Sequence, residues 1–146
     1  MKISLLKLSA IGLVTTALVP LPVLAKHHEA GEMTVIDVVA TNAALAAFEG
    51  RSDEDKARDA GRKPAGVLAF LGLKKGDAGL DLIASGGWYS VAAAIATGAA
   101  GKAYDQKPAA ALELRDGAYE KEITARLAAS KLPQLERINV EITELG

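Results

Sequence analysis

Cysteine is absent from this 146-residue chain. That excludes disulfides, thiolate catalysis and cysteine-ligated metals, so the core has to stabilise itself. Aromatic residues are few: Phe48, Phe70, Trp88, Tyr89, Tyr104 and Tyr119. They are too sparse to form a stacking platform for bases. An excess of basic charge is lacking as well, with 17 Lys and Arg against 18 Asp and Glu. A partner held through its phosphates demands a basic patch, so no nucleic acid is expected. No internal repeat or low-complexity tract stands out, and the length fits one domain at most.

Long apolar runs are also scarce, with one exception. Ile3 to Leu24 contains no acidic residue, has Lys2 and Lys7 in or beside it, and ends in Val23-Leu24-Ala25. Small or β-branched residues at the −3 and −1 positions fit a signal-peptidase site. The run is nearly long enough to span a bilayer, but Pro20 and Pro22 suit a cleavage region better than a helix interior. Residues 1–25 therefore read as a cleaved secretory signal, which leaves no membrane segment and sends the product to the periplasm or the medium. Cleavage removes both lysines and leaves 15 basic against 18 acidic residues, a net charge of −3. The new N-terminus would be Lys26-His27-His28. A free amine, two amides and a third-position histidine suit Cu(II) or Ni(II), but a loose polar tail is the better expectation, and no metal site is assigned.

Residues 26–62 read as a tail and lead-in. Ile36 to Phe48 has moderate helical spacing and Gly50 ends it. Arg51 to Arg62 is densely charged and reads as a solvated linker or helix face. Pro64 opens a short helix, Ala65 to Leu71, with Gly72 past its end. Val67, Leu68, Phe70 and Leu71 are its candidates for burial.

The stretch that organises the rest is Gly79 to Ser90. Ala78 to Ile83 reads as a nearly unbroken apolar strand of the kind found in parallel sheets, interrupted by Asp81, which needs a partner or a ligand if buried. Ala84-Ser85-Gly86-Gly87 is a small-residue turn, and Trp88 to Thr97 is an alanine-rich helix closed by Gly98. A strand feeding a helix through glycines lets a nucleotide-like ligand approach the backbone and meet free N–H groups. Ala103-Tyr104 is a second strand, and Ala109 to Ala129 a helix with Leu112, Tyr119, Ile123 and Leu127 inward. Glu122 and Arg126 form an i, i+4 pair, and Gly117 weakens the helix in its middle. Ile138, Val140 and Ile142 alternate with polar residues as a third strand. The β-α-β-α-β order implies right-handed crossovers and a three-layer α/β unit.

Four stretches together carry a resemblance: Asp55 to Phe70, Leu73-Lys74-Lys75-Gly76, Asp81 to Tyr89, and Gly101-Lys102-Ala103-Tyr104. In order and spacing they resemble an exported family of predicted class I S-adenosylmethionine-dependent methyltransferases, from about Asp55 to the end. The resemblance implies a partial Rossmann-like domain over residues 63–146, the N-terminal half of that fold, with S-adenosylmethionine at the C-terminal edge of the sheet. Asp81 would hold the methionine amine, and Ala84, Ser85, Gly86 and Gly87 would form the close-approach backbone. Asp105, 18 residues after Gly87, would accept bonds from ribose hydroxyls, with Gln106 as the alternative. On that placement, Asp105→Ala is expected to weaken an adenosyl ligand and leave the fold intact.

Two departures accompany the resemblance. Ile83 and Ser85 stand where the general methyltransferase turn has glycines, and a Cβ is penalised wherever φ is positive. The class also has a larger sheet than the three strands read here, so the far edge of the Asp81 strand is left uncovered and open to self-association. A truncated gene or fragment is the simplest account. The methyl acceptor and catalytic residues are left unassigned. A non-catalytic nucleoside-binding module and a remnant needing a partner chain are the competing expectations.

Overall fold

The computed structural model describes residues 34–145; residues 1–25, read above as a secretory signal, and Lys26-His27-His28 lie outside them. Five helices and a three-stranded parallel sheet follow one another as α1 (Val38–Ala47), α2 (Asp53–Arg62), α3 (Pro64–Phe70), β1 (Ala78–Asp81), α4 (Trp88–Thr97), β2 (Lys102–Gln106), α5 (Ala109–Ser130) and β3 (Leu135–Ile138). A 3₁₀ turn at Ile142–Glu144 closes the described chain. The sheet order is β1-β2-β3 and both pairings are parallel. This mixed α/β arrangement is compatible with a Rossmann-like unit.

Local chemistry accounts for most helix ends. Asp37 caps α1 by accepting the Ala40 N–H at 2.6 Å, and Ser52 caps α2 by accepting the Asp55 N–H at 3.1 Å. Asp53, Glu54 and Asp55 fill the first turn of α2 and Arg62 its last, complementing the helix dipole. Lys63 takes a left-handed conformation (φ 46°) that ends α2, and Pro64 starts α3 at once. The weakness read at Gly117 is a true break: Leu114 to Gly117 leave helical geometry, with Arg115 and Asp116 at φ 55° and 56°.

Register places Asp81, Asp105 and Arg137 in one row across the sheet. Ser90 of α4 reaches both aspartates and Glu120 of α5 pairs with Arg137, so both crossover helices lie on that face. Right-handed connections between successive neighbours require this. The opposite face carries exposed Ala78, Leu80 and Glu136, with Lys102 and Glu136 paired across it at 3.7 Å. Over the described residues one face of the sheet is thus left without a helix, where a three-layer unit with both faces covered was expected.

Alanines 92, 93, 94 and 96 of α4 let that helix settle closely on the sheet, and they form the core with Ile36, Leu45, Ala65, Leu68, Val91, Ala103 and Leu135. Ile36 and Leu45 tie the lead-in to that core, and the Ile36 N–H donates to the Leu73 carbonyl at 3.0 Å. Residues on both sides of position 62 therefore share one interior.

Three further expectations are corrected. The charged stretch from Arg51 is not simply a solvated face, because Arg51 and Asp55 are buried. Of the four candidates for burial around α3, only Leu68 is buried, whereas Phe70 is 90% and Leu71 71% exposed. The third strand is Leu135–Ile138, earlier than the alternating Ile138-Val140-Ile142. β2 ends at Gln106 ahead of Pro108, which has no N–H to donate, so alternation beyond Ile138 finds little neighbouring strand to pair with.

Candidate functional site

At the C-terminal end of β1 the chain turns through Leu82 to Gly87 before α4 begins. Ile83, Ser85 and Gly87 all have positive φ, at 52°, 48° and 78°. The two positions where the resemblance departs from glycine are thus held in the left-handed region. For a β-branched residue this is a genuine outlier, and such strain persists only where surrounding structure over-determines it. The restraint is visible. The Ile83 N–H donates to Gln106 Oε1 at 3.0 Å and the Ala84 N–H to the Gln106 carbonyl at 3.0 Å. Gln106 also donates from Nε2 to the Val140 carbonyl at 2.6 Å, so the buried amide is engaged at both ends.

A cavity of about 450 Å³ opens over this turn, lined by Asp81, Ile83, Ala84, Ser85, Gly86, Trp88 and Tyr89 from β1 to α4. Arg58 and Arg62 of α2 and Arg115, Tyr119 and Glu122 of α5 complete its wall. Four of the six expected ligand residues, Asp81, Ala84, Ser85 and Gly86, therefore line one space. Gly87 lies just behind it, with a Cβ there set to fall 2.7 Å from Asp105 Oδ2. Asp105 does not line the cavity: it is fully buried and bonded to Ser90 and to the equally buried Lys107. Gln106, the alternative, is directed to the turn's backbone.

The electrostatics turn on one hydroxyl. Ser90 Oγ lies 2.8 Å from both Asp81 Oδ2 and Asp105 Oδ2, yet it owns a single proton. One of the two contacts must therefore be donated by a carboxyl. Burial, followed by the nearby Asp105 charge, pushes the Asp81 carboxyl above its ordinary value, against the Ser90 hydrogen bond and Lys107. Asp105 is already ion-paired with Lys107. The carboxyl shifted toward protonation is thus Asp81, and a proton on it would satisfy the second Ser90 contact.

The lead-in shapes the wall through contacts that no short-range pattern signals. Arg126 forks onto Asp55 at 2.7 and 3.1 Å, contacts the Gly86 carbonyl, and holds Glu122 at 3.1 Å. Arg51 forks onto Asp59 at 2.6 and 2.7 Å. Trp88 donates its indole N–H to the Asp55 carbonyl at 3.0 Å and has the guanidinium of Arg62 5.5 Å from its ring centroid. Only the Glu122–Arg126 pair was readable from spacing, because it lies within one helix.

Comparison with protein-family models, curated proteins and solved structures gives no match. The methyltransferase resemblance therefore rests on the motifs quoted above. Among the described residues, no helix is long and apolar enough to cross a membrane.

Proposed function

We propose that this chain is the cofactor-binding part of an exported S-adenosylmethionine-dependent methyltransferase, acting on a methyl acceptor not yet identified. The observation that carries the reading is the turn itself. Positive φ falls at Ile83 and Ser85, the positions that are glycine in the general methyltransferase turn, and the adjacent cavity is lined by that turn and by Asp81. Asp81 would meet the methionine amine, and an ammonium there would draw the carboxyl into its ionised form. Ala84, Ser85 and Gly86 would bring backbone close to the ligand. Asp105, with Lys107 and Ser90, would then serve as the base on which Asp81 is positioned rather than as a ribose ligand. Calorimetric titration of the processed protein with S-adenosylhomocysteine tests this. Saturable binding that Asp81→Asn weakens supports it, and an absence of binding at millimolar ligand removes it.

A second reading is favoured by the open side of β1. Leu80 is 46% exposed, and a hollow of about 320 Å³ beside it is lined by Val67, Leu71 and Tyr104. An unpaired edge strand with apolar neighbours is a template for association. On this reading the chain is a binding module or remnant that works with its edge covered by a second copy. Sedimentation over a hundredfold concentration range separates the two, since a monomer throughout excludes the self-associating form.

A further inference from the structure

The sequence contains six arginines, and their pairing divides them sharply. Arg51, Arg58, Arg126 and Arg137 form ion pairs with Asp59, Glu54, Asp55 and Glu120. Among the described residues, Arg62 and Arg115 have no carboxylate partner, and both line the cavity over the turn. Each guanidinium instead lies over an aromatic ring, Arg62 at 5.5 Å from the Trp88 centroid and Arg115 at 5.5 Å from that of Tyr119. Stacking orients a planar fork and leaves its N–H edge free. The carboxylates of the same wall have partners of their own, Glu122 in Arg126 and Asp81 in Ser90.

The backbone beneath Arg115 is an independent observation. Arg115 and Asp116 are consecutive non-glycine residues at positive φ, a conformation costing roughly 1–2 kcal/mol for each. A continuous helix would avoid that cost and would carry Arg115 elsewhere. Strain kept in a segment that projects a charged side chain over a cavity is a reason to look for a ligand there.

We propose that Arg62 and Arg115 form an oxyanion site at the mouth of this cavity, holding the phosphate or carboxylate group of a second small molecule. If the cofactor reading above is right, that molecule is the methyl acceptor, and the acceptor is anionic. The site itself stands without that reading. Two guanidinium forks match the paired oxygens of either group.

Trp88 is the sole tryptophan and touches the site, so its fluorescence reports occupancy directly. The processed protein is titrated with sodium phosphate and, separately, with sodium succinate, at ionic strength held constant with sodium chloride. Saturation by at least one oxyanion is expected, and the stronger of the two arms assigns phosphate or carboxylate. Arg62→Ala and Arg115→Ala should each weaken that binding about tenfold or more, with Arg115→Lys recovering only part. Lys75→Ala, at an exposed turn away from the cavity, should change nothing. Both arginines are exposed, so melting temperatures of the variants should stay near that of the parent. A response no larger than that of chloride, or undiminished binding in both arginine variants, overturns the proposal. Competitive displacement of the oxyanion by S-adenosylhomocysteine overturns it too, since the arginines would then belong to that ligand's own carboxylate. Loss of S-adenosylhomocysteine binding with oxyanion binding retained removes only the cofactor reading.

Discussion

Replacing Gly87 with alanine tests whether the turn is packed as described. Gly87 sits at φ 78°, ψ 20° as the residue preceding α4, so an alanine would be held left-handed at a cost of about 1–2 kcal/mol. Its Cβ would also overlap Ile123 Cδ1 and come within 2.7 Å of Asp105 Oδ2. Neither neighbour has room to yield. Ile123 is fully buried, and Asp105 is fastened between Lys107 and Ser90. Overpacking at such a site costs roughly 1–3 kcal/mol, and alanine returns about 0.4–1 kcal/mol by restricting the unfolded chain. The net expectation is a loss of about 1–4.6 kcal/mol, read as a lower urea midpoint at unchanged m-value. Gly86→Ala is the control. The atoms nearest its Cβ would be the carboxyl end of Glu122, a side chain 37% exposed that can swing aside, so a loss below about 1 kcal/mol is expected. Equal losses at the two glycines, or a loss below about 1 kcal/mol at Gly87, would refute the packing argument.

The opposite sign is expected one turn earlier. Ile83→Gly relieves a left-handed β-branched residue that is 51% exposed, and thermal melting should show a gain of up to about 1 kcal/mol after the entropic cost of glycine. Asp105→Ala should not leave the fold intact, because it strands the buried Lys107 ammonium; a loss of about 3–5 kcal/mol is expected in urea, with partial recovery when Lys107→Met is added. Asp81→Asn should change how stability depends on pH. Since the folded-state carboxyl titrates above its unfolded value, Asp81 favours folding fully below the unfolded value and loses that contribution as pH rises through the folded one. Asparagine does not ionise, so its melting-temperature advantage over the parent should widen from pH 4 to pH 8. A gap independent of pH, or a variant less stable than the parent at neutral pH, would refute the assignment of the proton to Asp81.

What the sequence determined by itself is what short-range chemistry dictates. Trp88–Thr97 was legible as a helix because Gly87 precedes it, Gly98 follows it, and helix-forming alanines fill it. Pro64 marked the start of α3 by the same local logic, and Gly117 marked the break in α5. The parallel sheet followed from strands alternating with helices. Ile83 and Ser85, the two departures from the resembled turn, were legible as non-glycine residues in a glycine-type turn, and both lie at positive φ.

Tertiary structure decided where register, burial and convergence matter. Leu135–Ile138 and the alternating residues after it are both acceptable strands locally, and the choice was made by where β2 stops before Pro108. Asp105 suits a ribose from its spacing, yet Lys107 two residues on folds inward and takes its charge. Nothing in the charged run from Arg51 shows which charges are buried, because Arg126 lies 71 residues beyond the Asp55 it holds. Arg62 of α2 and Arg115 of the break in α5 meet at one cavity only once α5 has crossed back over the sheet. Propensity and capping act over a single turn of chain. A site assembled from distant side chains exists only when the core brings their elements together.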